Sequence, residues 1–444
     1  LEHHSNFDWN EFRSTQNEEL TDDQTNALFE KLKLSSENWD IPIVVTTNVQ
    51  FFESLFSNRP SRCRKIHSLV NSVIIFDEAQ VLPFSYLEPC MLSLAELIVN
   101  YNSSVIFSTA TQPPLHQFFP ETIQQRELIS SPNDVYQFFK RVNVVNLGTQ
   151  NDDQISQSIN STRQALCIVN TRRHAKGLYN KITFEGRFHL STLMCPAHRK
   201  KVINDIRNRL DNNDECRVIS TQIMEAGIDV DFPIGFRSLA GLDSIVQAAG
   251  RVNRENKRDI GILYIFKPDS DFIKRMPSYI KQTASVAEII IGQFEDPISL
   301  EAITAYYNLL YDIQDSHVFD KKEIMSCFEK GIIDEPDFDF KTASERFKMI
   351  ENDTFPIIIP YNDQAEELIQ KLRFTDFPTS LLRPLQPYTV NIYAQELESL
   401  FALSDIEILH DRFLVLSTLE EVYNDETGLV IPEGATGDAI FISS

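Results

Sequence analysis

The segment that most constrains the fold is a run of four apolar residues that ends in two carboxylates. Val73-Ile74-Ile75-Phe76 predicts a buried β-strand, and Asp77 and Glu78 follow it directly. Parallel α/β sheets bind ligands at the carboxyl ends of their strands. We therefore expect Asp77 to hold Mg²⁺ through water and Glu78 to orient or deprotonate the water that attacks a nucleoside triphosphate. Gln80 is expected to sense the γ-phosphate and to transmit its presence to a second domain. The alternative interpretation of Asp77 and Glu78 is a solvated acidic turn.

A second segment carries two arginines behind a glycine. Arg251 and Arg254 follow Gln247-Ala248-Ala249-Gly250, and we interpret the arginines as lying one turn apart on one helix face. Together with Gln247 they are suited to stabilising the charge that develops on a transferred phosphate. The alternative is a pair of surface charges. The acidic and basic segments together predict the two sides of an ATP-driven motor.

Other polar residues follow predicted strands and are candidates for coupling or binding. Thr109 and Thr111 are expected to couple hydrolysis to a nucleic-acid groove, although these residues could also cap the next segment. Thr221 is expected to touch a strand phosphate, Gly227 to let the backbone approach the nucleotide, and Asp229 to accept a hydrogen bond from ribose. The alternative there is a tight turn with an Asp cap. Weaker candidates for phosphate contacts are Thr46, Thr47, Asn170, Thr171, His198 and Arg199.

The sequence contains no glycine-rich phosphate loop. None of the 13 glycines is followed by the lysine that the GxxxxGK[ST] motif requires. The chain begins at Leu1, and its first methionine is Met91. We therefore expect a fragment that binds ATP and Mg²⁺ tightly only with its missing segment, and that alone turns ATP over poorly.

Composition limits the classes of protein. The net charge of −23 disfavours a protein coated by nucleic acid, although it leaves room for a narrow binding groove. The six cysteines form no CxxC pair, which disfavours zinc fingers and disulfide frameworks. The sequence shows neither a run of 18 apolar residues nor an N-terminal signal pattern. We expect a cytoplasmic protein with no membrane contact.

The order of predicted elements favours an α/β fold. We expect two RecA-like parallel-sheet domains, the first incomplete, followed by a helical region and a small C-terminal α+β domain. The expected regions are 1–140, 160–268, 270–350 and 355–444, with 112–160 interpreted as a bridge. Predicted strands are 41–46, 73–76, 104–107, 166–169, 188–193, 216–220, 261–266, 356–359, 389–392 and 413–416. Predicted helices are 21–34, 49–56, 87–100, 174–182, 198–210, one carrying Gln247 and Arg251, 284–293, 298–312, 321–330 and 341–350.

One dipeptide suggests a nuclease and is interpreted otherwise. His410-Asp411 could belong to a metal-dependent nuclease, but such a site needs further His and Asp ligands. The sequence has no other His-Asp pair, so we interpret His410 as an ordinary loop residue.

The motifs resemble those of superfamily-two helicases, and more narrowly those of the Cas-three helicase-nucleases of type I CRISPR interference. The resemblance rests on residues 77–83, 108–113, 220–229 and 247–254. Residues 1–6 are similar to the segment that follows the phosphate loop and the next strand in those proteins. Residues 383–390 are similar to their terminal domain, so the similarity runs through nearly the whole chain.

The resemblance implies an ATP-driven translocase acting on single-stranded DNA. In that family, a crRNA-guided surveillance complex recruits the enzyme to the displaced strand, which it moves 3′ to 5′ while a separate N-terminal HD nuclease segment cuts it. This chain lacks the nuclease segment and the phosphate loop. Two alternatives remain: an RNA or DNA-repair helicase of the same superfamily, and a non-catalytic module that docks on a partner through 270–444. We also expect 1–140 to expose sheet edges and apolar faces and to be poorly stable.

Overall fold

The structure is a computed structural model. It describes residues 2–3, 34–35, 37–183, 185–225, 227–274, 276–329, 338–350, 354–403, 406–417, 419 and 422–431. The helix expected at 21–34 lies outside the described residues except for its last position, and most of segment 1–6 does as well.

Strands and helices alternate through the first two thirds of the described chain. The strands are β1 Glu2–His3, β2 Val45–Thr46, β3 Val73–Asp77, β4 Ser104–Ser108, β5 Val142–Thr149, β6 Gln164–Ile168, β7 Arg187–Leu190, β8 Cys216–Ser220, β9 Ile234–Ser238, β10 Gly261–Lys267, β11 Thr354–Ile358, β12 Thr389–Tyr393, β13 Ile406–Leu409, β14 Phe413–Leu416, β15 Tyr423–Asn424 and β16 Gly428–Leu429. The helices are α1 Asn48–Leu55, α2 Pro60–Cys63, α3 Leu87–Tyr101, α4 Pro132–Phe139, α5 Asp152–Asn160, α6 Arg172–Tyr179, α7 Pro196–Asp211, α8 Leu242–Ala249, α9 Ser270–Lys274, α10 Ser278–Gln293, α11 Leu300–Asp312, α12 Phe340–Arg346, α13 Asp363–Phe374, α14 Leu382–Leu385 and α15 Ala394–Leu403.

The chain divides into two compact units. The first unit is built mainly from Leu1–Leu128 and Tyr311–Glu351, and the second from Ile129–Leu310 and Asn352–Phe441. The region expected at 270–350 is therefore shared between the units, because α10 belongs to the second unit and α12 to the first.

A parallel sheet forms the centre of the second unit. Over the described residues it has six strands in the order β5-β10-β9-β6-β8-β7, and every pairing is parallel. Every residue of β6 and β8 is buried, as expected for strands with both faces covered. Ile155, Phe236 and Phe266 belong to the adjoining core, and burial of each such side chain contributes about 2 kcal/mol.

Two strands of this sheet were missed by the sequence analysis. Strand β5 lies in the segment that we interpreted as a bridge, and most of its residues are exposed because it is an edge strand. Strand β9 contains Gly235 and Arg237, which are not typical of a buried strand. A Cβ at Gly235 would lie 2.7 Å from Cγ2 of Val252. The glycine therefore lets the residues after α8 pack closely against the sheet.

The C-terminal part of the second unit contains the expected small mixed sheet. Its order is β12-β11-β14-β13, with β11 and β14 parallel and the other pairs antiparallel. The buried side chains Ile357, Ile392 and Leu416 share one cluster with Leu193 and Cys195, which follow β7. The mixed sheet and the parallel sheet of this unit are therefore joined by a common core.

The first unit differs from the prediction in several places. The strand expected at 41–46 covers only Val45–Thr46, and the helix expected at 341–350 ends at Arg346. Strands β3 and β4 pair in parallel as expected, but Val73 and Ile75 are 64% and 65% exposed, so β3 is half-buried rather than buried. No α-helix spans the described part of 321–330, where Met325–Phe328 forms a short 3₁₀ turn. The Asp320 carboxylate accepts hydrogen bonds from the amides of Ile324 and Met325, each at 2.8 Å. This local bonding competes with helix formation.

Candidate functional site at the strand ends

In the first unit, the ends of β3 and β4 bring an acidic and a hydroxyl side chain together. Asp77 is the register partner of Ser108, and both are exposed. The Ser108 hydroxyl donates a hydrogen bond of 3.2 Å to Oδ1 of Asp77. The outward-facing carboxylate remains available to a ligand, as the rule for the carboxyl ends of parallel strands predicts.

A chain of side-chain contacts connects Glu78 with the end of β4. The Gln80 side-chain amide donates to Oε2 of Glu78, and its carbonyl oxygen lies against the Thr109 hydroxyl. The same hydroxyl lies 2.7 Å from the carbonyl oxygen of Thr111 and accepts from its amide at 3.2 Å. The structure thus brings together Glu78, Gln80, Thr109 and Thr111, which the sequence placed on two separate segments.

Glu78 has an unusual backbone conformation. Its φ of 53° and ψ of 50° are in the left-handed region, which a residue with a Cβ adopts at a cost of roughly 1–2 kcal/mol. The left-handed turn ends β3 and begins the short 3₁₀ segment Ala79–Val81. Strain of this kind clusters at functional sites, where it fixes the direction of a side chain.

The donor atoms at this strand end suit Mg²⁺ bound together with a phosphate. Asp77, Glu78 and Ser108 offer carboxylate and hydroxyl oxygens, the ligand type that Mg²⁺ prefers when it keeps several waters. Across the residues that the structure describes, no group of three or more His, Cys, Asp or Glu side chains could enclose a metal by itself. The two carboxylates and the hydroxyl would suit a metal that is bound partly through water.

In the second unit, a turn follows β8. Thr221 is 7% exposed, and Gln222–Met224 forms a 3₁₀ turn that leads to the buried Glu225. Gly227 has a φ of +73°, and no atom of the described residues beyond its chain neighbours lies within 4 Å of the position that a Cβ would occupy. This open space and the left-handed conformation are compatible with the close backbone approach expected there.

The two arginines do not share a helix face, which corrects the sequence interpretation. Helix α8 ends at Ala249, and Asn253 has a φ of 49°, so Arg251 and Arg254 lie in an irregular segment. Arg251 donates to the carbonyl oxygen of Glu225 through Nε at 3.2 Å and Nη2 at 2.6 Å. Arg254 forms a 2.6 Å ion pair with Asp229. Both arginines thus contact residues that follow β8, while Gln247 is half-buried on α8.

A buried ion pair under the same segment was not found from the sequence. Arg237 on β9 is fully buried, and its Nε lies 2.9 Å from Oε1 of Glu225. Burial raises the pKa of Glu225 to about 7; Arg237 opposes this shift, and the nearby Asp243 adds to it. Burial also raises the pKa of Asp243, whose Oδ1 accepts from the Tyr306 hydroxyl at 3.4 Å. The only indication of this ion pair in the sequence is the charged residue Arg237 itself. A charge at that position argues against a buried strand.

Several weaker candidates for nucleic-acid binding have local structural roles. The side chain of Thr47 caps α1 by accepting from Gln50, and that of Thr171 caps α6 by accepting from His174. Asn170 donates to the carbonyl oxygen of Leu239 at 2.8 Å and accepts from Arg237. These residues and Thr46 lie at strand ends, where the sequence analysis expected them.

His198 is a packing residue in this structure, which corrects the expectation of a phosphate contact. It is 1% exposed, and both ring nitrogens are hydrogen-bonded, Nδ1 to the Tyr423 hydroxyl and Nε2 to the carbonyl oxygen of Asp425. The ring therefore has no free nitrogen for a phosphate oxygen. Burial lowers the pKa of the neighbouring Arg199 from its ordinary value.

His410 lies in a turn between β13 and β14. Its Nε2 is 2.6 Å from the carbonyl oxygen of Leu372, and both His410 and Asp411 have positive φ. This is the loop role that we expected. Among the described helices, none is long and apolar enough to cross a membrane.

Comparison with known proteins gives a consistent group of relatives. The family model for the C-terminal part of the CRISPR-associated nuclease/helicase Cas3 matches residues 161–257. The CRISPR-associated nuclease/helicase Cas3 of Methanothermobacter thermautotrophicus is 24% identical over 201 residues, which cover 42% of this chain and 24% of that protein. A putative Cas3 of Methanocaldococcus jannaschii is 23% identical over 345 residues, covering 70% of this chain and 46% of that protein. This chain thus spans less than half the length of either relative.

Solved structures share the fold. T. fusca Cas3 with ATP has a TM-score of 0.58 at 12% identity, covering 87% of this chain and 55% of that one. A chain in a structure of a pre-nicking CRISPR RNA-guided surveillance complex has a TM-score of 0.55 at 12% identity, covering 93% of this chain and 63% of that one.

The parallel sheet, the mixed sheet and the polar strand ends define an α/β protein with a helicase-like fold. The matched segment and the relatives agree on one family. The chain is similar to part of the larger CRISPR-associated Cas3 nuclease/helicases, the Cas-three family.

Proposed function

We propose that this chain is the helicase region of an ATP-driven translocase that moves along single-stranded DNA in type I CRISPR interference. The observation that carries the proposal is the chain of contacts from Glu78 through Gln80 to Thr109. A motor must transmit the state of its hydrolytic carboxylate to another part of the protein, and these contacts connect the ends of two neighbouring strands. Strands β3 and β4 belong to one RecA-like domain and the six-stranded sheet to another.

In this proposal the first unit supplies the hydrolytic residues. Asp77 holds Mg²⁺ through water, and Glu78 orients the attacking water and accepts its proton. The metal, when bound with ATP, neutralises charge on the β- and γ-phosphate oxygens. Gln80 senses the γ-phosphate, and Thr109 and Thr111 pass the change to the nucleic-acid contacts. The fixed direction of the Glu78 side chain favours this role because a general base must be positioned within hydrogen-bond reach.

The second unit supplies phosphate and nucleic-acid contacts. Arg251, Arg254 and Gln247 act on the transferred phosphate, while Gly227 and Asp229 approach the nucleotide. Thr221, Asn170, Thr171 and Arg199 of this unit contact the nucleic-acid strand, and Thr46 and Thr47 of the first unit contribute further contacts. The ion pair between Arg254 and Asp229 supports the proposal that these two residues serve one ligand.

Partners are inferred from the family. The matched structures, which contain Cas3 with ATP or a surveillance complex, support ATP as cofactor and a crRNA-guided surveillance complex as partner. Mg²⁺ is proposed from the carboxylates of Asp77 and Glu78. We propose the displaced DNA strand as the substrate and an HD nuclease segment as the part that cuts it.

The test replaces Glu78 with glutamine in a protein extended to the length of its relatives. Glu78→Gln keeps the shape and removes the proton acceptor, so we expect ATP turnover to fall by about 10²–10⁴-fold while ATP binding persists. Glu96→Gln, at an exposed position of α3, is the matched control and should leave turnover unchanged.

The choice of nucleic acid is tested in the same protein. We expect single-stranded DNA to stimulate ATP turnover more strongly than RNA of the same sequence. Equal or stronger stimulation by RNA would favour an RNA helicase. Turnover that does not respond to Glu78→Gln, or no turnover at all, would favour a docking module without catalysis.

A further inference from the structure

A fully buried arginine lies beneath the proposed nucleic-acid contacts of the second unit. Arg237 is the fourth residue of β9 and is 0% exposed. Strand β6, which pairs with β9, leads to Asn170, and β8, on the other side of β6, leads to the turn 221–225. A charged side chain at this position requires an explanation, because burying an ion costs several kcal/mol unless its partners compensate.

Arg237 contacts both segments that follow those strands. Its Nη1 donates at 2.7 Å to Oδ1 of Asn170 and at 2.7 Å to the carbonyl oxygen of Ser238. Its Nε forms the 2.9 Å ion pair with Glu225. One rigid guanidinium thus holds the segment after β6 and the turn after β8 at a fixed separation, which the planar fork of an arginine can do and a lysine cannot.

The contact extends to the arginine segment. The carbonyl oxygen of Glu225 accepts both hydrogen bonds from Arg251. A movement of the Glu225 backbone would therefore change the position of the Arg251 side chain. One residue from each of three proposed functional segments, Asn170, Glu225 and Arg251, is thus linked through this buried pair.

Stability alone does not account for the pair. Buried ion pairs are often no more stabilising than apolar side chains of similar volume. Among the described residues, Nε and Nη2 of Arg237 and Oε1 of Glu225 have no hydrogen-bond partner, so the pair is also incompletely compensated. The geometry that it enforces is the remaining reason for its presence.

We infer that Arg237 is a positioning residue, which acts through Asn170 and Glu225 to fix the nucleic-acid contacts of the second unit in one arrangement. This inference rests on the proposed function for its biological meaning. Its physical content, which is that Arg237 orders 170–172 and 221–225, can be measured without nucleic acid.

The experiment compares Arg237→Met, the double variant with Glu225→Gln and Arg237→Met, and Arg217→Met in the full chain. The double variant removes both charges, so it restores the melting temperature that the single variant loses. Arg217 is the matched control, because it is a buried arginine near the start of β8 that bonds Thr162, Thr183, Glu185 and Glu215. Hydrogen exchange is recorded for 170–172 and 221–225, and affinity is measured with a fluorescein-labelled single-stranded DNA oligonucleotide.

We expect the double variant to melt close to wild type and yet to exchange faster in both segments. Its affinity for the oligonucleotide should fall by at least about tenfold, which is ~1.4 kcal/mol. Arg217→Met should change neither segment. The inference would be overturned if both segments of the double variant exchanged at the wild-type rate. It would also be overturned if Arg217→Met accelerated exchange in these segments as much as the double variant does. A wild-type chain that binds no oligonucleotide would instead count against the proposed function, and the exchange data would still decide the role of Arg237.

Discussion

At the scale of single residues, Glu225 shows how burial changes the chemistry of a side chain. The carboxyl group is 5% exposed and faces Arg237 from β9, and Asp243 and Ser244 from α8, while Tyr306 from α11 bonds Asp243. Burial has the largest effect and raises the pKa to about 7. The neutral acid is therefore favoured by folding, although the adjacent guanidinium favours the carboxylate.

This shift predicts how stability depends on pH. A raised folded-state pKa gives a contribution that is full below the ordinary value of about 4.5 and is lost as the pH rises through about 7. The loss amounts to about 3 kcal/mol. We expect the free energy of unfolding, measured in urea at pH 5 and pH 8, to show this decrease in wild type and a smaller one in Glu225→Gln, where the raised pKa of Asp243 still contributes. Glu366→Gln, at an exposed position of α13, should keep the wild-type pH dependence.

Residues at strand ends were accessible to sequence analysis, whereas residues defined by distant partners were not. Glu78, Gln80 and Thr109 follow recognisable strands, so the rule for parallel sheets places them at one edge from their positions in the chain alone. His198 was wrongly expected to contact phosphate because its partners, Tyr423 and Asp425, lie more than 200 positions away. A side chain that is buried by residues distant in the sequence has no local sequence pattern that indicates its burial.

At the scale of elements, the segment after α8 is shaped by one asparagine. Asn253 is fully buried with a φ of 49°. Its side chain donates to the carbonyl oxygens of Arg141 and Arg258 at 3.2 and 2.8 Å and accepts from the Arg258 amide at 3.1 Å. The left-handed turn and these bonds end the helical path, so Arg251 and Arg254 could not lie on one helix face.

Asn253→Ala tests this account. The change removes buried hydrogen bonds and places a Cβ without a polar group in the left-handed region, so we expect a loss of about 3 kcal/mol in unfolding free energy. Asn256→Ala is the matched control, because Asn256 has a φ of 54° but is exposed, and it should cost about 1 kcal/mol. If Asn253→Ala and Asn256→Ala lost the same unfolding free energy in urea denaturation, the left-handed backbone conformation alone would account for the loss.

The β3-β4 pair and the six-stranded parallel sheet are expected to differ in local stability. Strand β3 exposes Val73 and Ile75, whereas β6 and β8 are buried at every residue. Opening a half-covered pair of strands exposes less additional apolar surface than opening the centre of a covered sheet. We predict faster hydrogen exchange for the amides of 73–77 and 104–108 than for those of 164–168 and 216–220. Equal protection would contradict the expectation that the first unit is poorly stable.

The elements themselves were predictable where apolar runs were continuous. Strands β6 and β10 were found because they contain continuous apolar runs, as strands with covered faces usually do. Strand β8 was found from Val218 and Ile219, although it also contains Arg217. Strand β5 was missed because an edge position tolerates polar residues. Strand β9 was missed because Gly235 and Arg237 serve close packing and positioning, which override the usual pattern of a buried strand.

At the scale of the whole molecule, the C-terminal mixed sheet is part of the second unit rather than a separate body. Arg172, at the start of α6, pairs with Glu396 on α15, and both side chains are buried. The carboxylate of Glu396 also accepts from the amide of Tyr393 at 3.0 Å, and the guanidinium lies 5.5 Å from the centre of the Tyr393 ring. Segment 170–172, where nucleic-acid contacts are proposed, is thus tied to the C-terminal sheet.

Breaking this tie should destabilise the second unit through an uncompensated charge. Glu396→Gln leaves Arg172 buried beside a neutral amide, so we expect a loss of about 3 kcal/mol in the free energy of unfolding. The double variant with Arg172→Met and Glu396→Gln removes both charges and should recover most of that loss. Glu426→Gln is the matched control, since it breaks a 3.0 Å pair with Arg187 in which Glu426 is 49% exposed, and it should cost less than about 1 kcal/mol. If the double variant were no more stable than Glu396→Gln in urea denaturation, the loss would come from the shapes of these two side chains and not from an uncompensated charge.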